Sequence, residues 1–433
     1  MKQLALTKLP NGIVFFFTLL LFSITANLAF AGIKVFIEDY TYQASKADCK
    51  LSSRTIASEQ VKRLLLEELA TYLESETEVR NFRLTKEQII ILTAGIVRVE
   101  IIDENWDGKE YSLKAKIEAD PKEVIKSIDH LRQDSQKTKA LEEARKKAYV
   151  VLEEVKKLKR EMGSAQDGKA EQDQYTKAIN ALRATDWFER GITLENASNV
   201  QEAMEAFDKA IELDPQAAWA YYNRGLAYGK VGDYRQAIRD FDKVIELNPQ
   251  AAWAYKDRGA VYDKLGSYRV AIRDFDKAIE LDPKVAWSYY NRGVAYMELG
   301  SYRVAIRDFD KAIELDPEAA WAYKNRGAIY DKLGSYRQAI KDYDRVIKLD
   351  PKDAGGYYNR GIAYGKLGDY QQAIRDFDKA IQLNPKVAWS YYNRGIAYGK
   401  LGDYRQAIED FKIAARLGHK KSQNYLRSKG ISW

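Results

Sequence analysis

The stretch Ala218–Ala251, AWAYYNRGLAYGKVGDYRQAIRDFDKVIELNPQA, decides the fold, because it returns with small changes every 34 residues to near the end of the chain. Pro215, Pro249, Pro283, Pro317, Pro351 and Pro385 fall in register on this period, as do Gly191, Gly225, Gly259, Gly293, Gly327, Gly361 and Gly395. Aligned on them, seven units begin at Ala184, Ala218, Ala252, Ala286, Ala320, Ala354 and Ala388. Such a period marks a solenoid, in which each unit buries its apolar face on its neighbours. In the unit from Ala218 a first helix, A, runs to about Lys230 and carries Tyr221, Gly225 and Tyr228. A second, B, follows Gly232, carries Ala237, Phe241 and Val244, and stops before Pro249, which cannot continue it.

Several recurring residues have a mechanical reason. A glycine inside a helix costs about 0.5–1 kcal/mol relative to alanine, so its recurrence requires close helix approach, with Ala237 as the expected small partner of Gly225. Asp233 with Gln236, Ser335 with Gln338, Asp369 with Gln372, Asp403 with Gln406 and Asn199 with Glu202 read as capping boxes for helix B. Arg224, Arg258, Arg292, Arg326, Arg360 and Arg394 hold one repeat position, and Asp240, Asp274, Asp308, Asp342, Asp376 and Asp410 another. They predict a ladder of ion pairs between helices A and B; the other reading of the arginines is a basic strip for a ligand.

The period, the helix–turn–helix pattern and these signature residues resemble the tetratricopeptide repeat (TPR) family over residues 184–421. The resemblance implies a mostly α chain built as a right-handed solenoid, with units at 184–217, 218–251, 252–285, 286–319, 320–353, 354–387 and 388–421. The arginine is a departure, since the family usually has leucine there. It also implies a concave, peptide-binding groove lined by helix A. Carried onto this sequence, that lining comprises Trp219, Trp253, Trp287, Trp321 and Trp389; Tyr222, Lys256, Tyr290, Lys324, Tyr358 and Tyr392; and Asn223, Asn291, Asn325, Asn359 and Asn393. Gly355 interrupts the tryptophan row. Tyrosine and asparagine are expected to face the groove, whereas the tryptophans either face it or pack between repeats. A subclass that clamps a partner's C-terminal carboxylate is matched at Lys256 and Lys324, but Ala260 and Ala328 stand where that clamp needs asparagine.

Outside the array, residues 1–31 have the form of a signal peptide: Lys2 and Lys8, then the apolar run Ile13–Ile24, then Ala29-Phe30-Ala31 before Gly32. Cleavage after Ala31 implies a periplasmic or secreted protein; an uncleaved segment implies an inner-membrane anchor. Cys49, the single cysteine, has no intrachain partner for a disulfide. Residues 32–120 read as a small α+β domain, with strands over Ile33–Tyr40, Ala94–Ile102 and Lys109–Ala119. Its helix, Ser52–Glu74, carries Val61, Leu65, Leu69 and Tyr72 on one face, and Asp107-Gly108 signals a type I′ hairpin. The order of helix and hairpin, with Trp106-Asp107-Gly108-Lys109-x-Tyr111, resembles the small envelope domains related to the N-terminal part of flagellar assembly protein T, which implies an assembly or interaction role. Residues 121–183 read as a helical spacer: one charged helix from Pro121 to Met162, a hinge near 163–168, and a lead-in helix. Its apolar stripe slips phase near Ser135–Lys139, so weak self-association through 121–162 is the most it offers. Residues 422–433 read as a capping helix and tail.

The composition, 31% charged with a net charge of +7 and mixed signs, gives no basic stripe of the kind nucleic acid needs. His130 and His419 are the only histidines and neither has metal-site company; no phosphate loop, serine elbow or HExxH occurs. No catalytic residue, metal or cofactor is therefore expected. The sequence reads as a non-enzymatic scaffold of the cell envelope that binds another protein or peptide, with a saccharide or cell-wall ligand of the aromatic groove as the alternative.

Overall fold

The computed structural model describes residues 33–45, 48–75, 84–133, 135–162 and 169–433. The signal-peptide segment 1–31 and the hinge near 163–168 lie outside the described residues. Strands β1 (Lys34–Gln43), β2 (Val99–Trp106) and β3 (Glu110–Ala119) form an antiparallel sheet in the order β1-β3-β2. Alternation along β3 buries Tyr111, Leu113, Ala115, Ile117 and Ala119 on one face. That face packs on helix α1 (Lys50–Ser75), whose Val61, Leu65 and Leu69 are fully buried. Tyr72 is half-buried, 5.9 Å from the ring of Phe36.

Two features of this domain differ from the sequence reading. Residues 94–98 do not begin a strand, because Lys86–Ala94 forms a helix, α2, started by a complete capping box between Thr85 and Gln88. The hairpin forms at Asp107-Gly108, but its turn is not type I′: of the two, only Gly108 has positive φ. The Asp107 carboxylate instead accepts from the backbone N–H of Lys109 and of Glu110, each at 2.7 Å, so the aspartate holds the turn with its side chain.

The segment read as one spacer helix is two helices, α3 (Pro121–Gln133) and α4 (Ser135–Met162). Both helices bury their apolar faces. Ile125, Ile128, Leu131, Leu141, Ala144, Ala148, Leu152 and Val155 are all buried in one core that runs from the sheet domain to Ala220. The stripe is thus used within the chain.

The lead-in and the first helix of the array form one helix, α5 (Lys169–Asn196). A buried charge cluster welds the two parts of the molecule together. Arg145 of α4, fully buried, bonds Glu59 of α1 and Glu189 of α5, and Lys62 of α1 lies 2.5 Å from Asp186 and from Glu189. Each buried charge there has an opposite partner, without which it would be strongly destabilising.

The array then continues as α6 (Val200–Leu213) and five further pairs: α7 (Ala218–Val231) and α8 (Tyr234–Leu247), α9 (Ala252–Lys264) and α10 (Tyr268–Leu281), α11 (Ala286–Glu298) and α12 (Tyr302–Leu315), α13 (Ala320–Lys332) and α14 (Tyr336–Leu349), α15 (Ala354–Leu367) and α16 (Tyr370–Leu383). A last pair, α17 (Ala388–Leu401) and α18 (Tyr404–Arg416), is followed by α19 (Lys420–Ser428). The repeating glycine does sit at the helix contact, but against a different partner from Ala237. A Cβ on Gly293 would lie 2.8 Å from Phe309 Cε1, and the same ring position crowds Gly259, Gly361 and Gly395. The ring edge of the helix-B aromatic packs against the bare backbone of helix A, and in two repeats the backbone oxygen of the helix-B alanine, Ala271 or Ala407, closes on the same glycine position.

The A–B turns also correct the capping boxes. Gly232, at φ 86°, ends α7, and the N–H of Asp233 closes back on Tyr228 O at 2.9 Å. That N–H is then spent. Asp233, Asp369 and Asp403 accept from the N–H of Gln236, Gln372 and Gln406, whereas Ser335 and Asn199 make no side-chain cap bond, and none of the five motifs forms a full box. Ser335 and Asn199 close back on Tyr330 O and Leu194 O in the same way.

The arginine ladder forms, and each rung has two acceptors. Arg292 grips Asp308 with two bonds, 2.9 and 2.6 Å, and reaches Asp276 of the preceding repeat at 2.7 Å. Arg224, Arg258, Arg326, Arg360 and Arg394 do the same with Asp240 and Asp208, Asp274 and Asp242, Asp342 and Asp310, Asp376 and Asp344, and Asp410 and Asp378. A tyrosine ring three residues earlier lies under each guanidinium, as Tyr289 does under Arg292 at 5.7 Å. The arginines of this column are therefore structural, and they do not form a basic strip for a ligand.

Burial pushes the Asp308 carboxyl up, and the Arg292 fork offsets this only in part. Asp308→Ala, which strands a largely buried guanidinium, is expected to cost about 2 kcal/mol. Asp276→Ala, at a half-exposed acceptor, should cost under about 1 kcal/mol. Urea denaturation of both variants checks this, and equal costs would contradict the division of the rung into a buried and an exposed half. A second expectation concerns the C-terminal cap. His419 Nδ1 accepts from the N–H of Ser422, capping α19, and burial, with Lys421 beside it, holds the imidazole below its usual range. A group whose folded pKa is depressed binds its proton more tightly when unfolded, so stability is present above the unfolded value of about 6.5 and is lost as pH falls below it. Hydrogen-exchange protection of α19 should drop between pH 7 and 5, and His419→Asn, which keeps a neutral cap acceptor, should show no such drop.

Candidate functional site

Helix A of each repeat presents its second, fifth and sixth positions on one surface, and the structure divides the expected lining in two. Over the first two repeats this surface is already covered by α4. Arg145 of α4 meets Glu189 at the sixth position of the first repeat, Lys137 lies 3.0 Å from Glu195, and Lys147 lies 2.5 Å from Asp214. Lys139, Ala140 and Glu143 of α4 then close, with Trp219, Tyr222, Asn248 and Trp253, a cavity of about 50 Å³.

Three expected lining residues are consequently interior. Trp219 is buried 4.4 Å from the Phe188 ring. Tyr222 is buried and donates to Asp257 Oδ2 at 2.7 Å, and Asn223, fully buried, donates to Trp219 O at 2.8 Å. The expected exposure of tyrosine and asparagine fails here because α4 takes the place a ligand would have.

From the third repeat onward the surface is open, and its residues bind one another across repeats. Asn325 donates to Tyr290 Oη at 2.9 Å and Asn393 to Tyr358 Oη at 3.0 Å, each joining a fifth position to the sixth position of the next repeat. Burial pushes the Tyr290 and Tyr358 hydroxyls up, and these bonds offset that only in part. Asn291 and Asn359 are half-buried.

The tryptophans do both things the sequence left open. Trp253 packs edge-on to Tyr222 at 4.3 Å, and Trp321 packs edge-on to Tyr290 at 4.4 Å while stacking on Trp287 at 4.3 Å. Trp287 and Trp389 nevertheless remain 48% exposed. Trp389 and Tyr392 enclose the His419 ring at 4.4 and 4.2 Å. Lys256 lies 3.2 Å from Asp257. Lys324 lies 3.0 Å from Asp353, and its amine would be 3.0 Å from a Cβ on Gly355. A side chain at 355 would crowd that lysine and Asp353.

Sequence reasoning missed two further positions, the twelfth and thirteenth of helix A, which form ion pairs from one repeat to the next. Glu195 binds Lys230, and Asp331 accepts from Lys366 at 2.8 Å. Between them, Asp263 has Glu298 as its equivalent neighbour, and burial pushes the Asp263 carboxyl up, with Glu298 adding to the shift. Aligning the seven units column by column reveals this exchange of a lysine for a glutamate. The clamp arrangement is absent as expected from Ala260 and Ala328.

Family models match this part of the chain. The model described as tetratricopeptide repeat matches residues 218–250, 320–353, 354–387 and 388–419, and that described as TPR repeat matches 198–232, 264–300 and 295–334. No curated protein matches the chain. Among solved structures, a MamA protein is similar at 30% identity and a TM-score of 0.37, covering 39% of this chain and 92% of its own. YrrB, described as a TPR protein with an unusual peptide-binding site, is similar at 28% identity and a TM-score of 0.38, covering 43% of this chain and 96% of its own. A tetratricopeptide repeat protein from Parabacteroides merdae is similar at 21% identity and a TM-score of 0.44, covering 56% of this chain and 97% of its own. With the period, the packed glycines and the paired helices, the family models settle the matter: this chain carries a tetratricopeptide repeat array.

Proposed function

We propose that the chain is a non-enzymatic scaffold of the bacterial cell envelope that seats a partner polypeptide on the open part of its groove, repeats three to seven. Tetratricopeptide arrays are protein-interaction scaffolds, and the observation that carries the reading is the half-exposure of Trp287 and Trp389 on that surface. Both rings are held by neighbours, Trp287 by Trp321 and Trp389 by His419, so their contact area costs little ordering on binding. Export through residues 1–31 supplies the envelope location. Among the described residues no helix is long and apolar enough to cross a membrane.

The test is capture from envelope extract by the full chain beside a Trp287→Ala/Trp389→Ala double variant whose helicity is checked by circular dichroism. Discrete proteins held by the wild type and reduced at least tenfold with the variant are the expected outcome. Equal capture by both moves function to the sheet domain, and retention of insoluble cell wall alone favours the saccharide reading. For the location, the mass of the chain recovered from the periplasm should correspond to a start at Gly32; a full-length chain held in the membrane would instead mean an anchor.

A further inference from the structure

The twelfth and thirteenth positions of helix A run as a second, cross-repeat ladder, and it has one reversed rung. Glu195 binds Lys230 and Asp331 binds Lys366, each pair 35 residues apart. At the same spacing Asp263 stands opposite Glu298; its buried Oδ1, like that of Asp331, has no hydrogen-bond partner among the described residues, but no lysine among them reaches the other carboxylate oxygen as Lys366 reaches that of Asp331. Lys264 and Lys332 flank the two carboxylates, yet among the described residues neither is within ion-pair distance of them; Lys332 lies over the Tyr302 ring at 5.0 Å. Two carboxylates on one face are unfavourable, and Lys264 offsets the burial of Asp263 only in part, so a cation placed directly between them is favourably bound.

The molecule itself shows what sits on such positions. Glu195, the equivalent of Asp263 two repeats earlier, receives Lys137 of α4 at 3.0 Å in addition to its cross-repeat lysine. α4 is a basic helix with small residues, Ala140, Ala144 and Ala148, on its buried side, which allows close approach to the groove. Its Lys139, Ala140 and Glu143 lie beside Trp253, the first groove residue of the third repeat, so the covered surface and the open one are continuous.

We propose that repeats three to five take an amphipathic helix of a partner protein, which extends the path of α4 and presents lysine or arginine to Asp263 and Glu298. This rests on the groove function proposed above and names its partner's chemistry. The partner helix is small-sided where it meets Tyr290 and Trp287, as α4 is where it meets Trp219. A partner acidic on this face is rejected by the two carboxylates.

The experiment uses the full chain and two alanine-rich peptides of about 20 residues, long enough to be helical, one with lysines along one face and the other with glutamates in their place. Titration calorimetry is expected to show binding of the lysine peptide only, weakened at least tenfold in Asp263→Asn/Glu298→Gln, which preserves side-chain shape. Glu298→Lys should also abolish binding while raising the melting temperature, because the new lysine reproduces the Lys366–Asp331 pair within the chain. Equal or tighter binding of the glutamate peptide overturns the proposal, as does lysine-peptide binding that the double variant leaves unchanged. If neither peptide binds, the partner is not a basic helix and the proposal falls. Capture from extract that depends on Trp287 and Trp389 would then leave the groove function standing, and capture independent of them would end both.

Discussion

The guanidinium at the seventh position of repeats two to seven touches three helices, its own A helix and two B helices. One fork fixes Asp308 in the same repeat, and the remaining nitrogen of Arg292 fixes Asp276 in the one before. Apolar packing of Phe309 on Gly293 would tolerate some sliding, since dispersion contacts have no strong directional preference. Two carboxylates at fixed angles to a planar fork do not slide. The energetic return of such a rung is limited, because burial raises the Asp308 carboxyl and the Arg292 fork offsets this only in part. Its contribution is angular: it sets one repeat on the next in the same way six times, and the solenoid's surface inherits that regularity.

That regularity ends against a second constraint. Arg145 carries α4 into the array by binding Glu59 and Glu189 at once, so the sheet domain, α4 and the first repeat share one core. The N-terminal end of a solenoid exposes an apolar face that must be covered, and a polar terminal repeat is the usual device. Here the cover is a folded domain, and its long helix continues onto the helix-A surface of the first two repeats. The result leaves a groove whose entrance is closed by the chain's own helix and whose middle and far end are open.

Most of the array was legible because each unit restates the same local signals: glycine at the helix contact, glycine and aspartate at the turn, proline after helix B. The sheet was legible from alternation in β3. The failures share a cause, which is that the deciding partner lies far away in sequence. The nearest atom to a Cβ on Gly225 is not on Ala237 but on the ring of Phe241. Gln236 cannot complete a capping box because Tyr228 has already taken the N–H of Asp233. α4 reads as a free arm until Glu59 and Glu189, both remote in sequence, are seen to neutralise Arg145. The helix α2 was an exception: Thr85 and Gln88 carry its start locally, but the apolar run after them has a strand's composition. Of the site, the identity of the lining residues was legible and their availability was not, since Tyr222 and Tyr290 are the same residue in the same repeat position and only one has α4 above it.

In a chain this repetitive, the residues that break a column carry the most information about where a surface begins and ends. Ala206 stands where later repeats have the ladder's gripping aspartate, and Lys412 stands where earlier ones have the reaching aspartate; Lys412 pairs with Glu409 instead. Those two breaks mark the ladder's ends, because an acceptor at 412 would point toward a repeat that does not follow it. His419 breaks the proline column, and its ring closes the last pair of groove aromatics where another repeat's helix would otherwise lie. Gly355 breaks the tryptophan row, and Lys324 and Asp353 fill the space. Each of these exchanges is answered by a neighbour within the chain. Glu298 is the exception, since it puts a second carboxylate beside Asp263 while, among the described residues, Lys264 and Lys332, though near, form no ion pair with either, and that opening is what the proposed partner helix would fill.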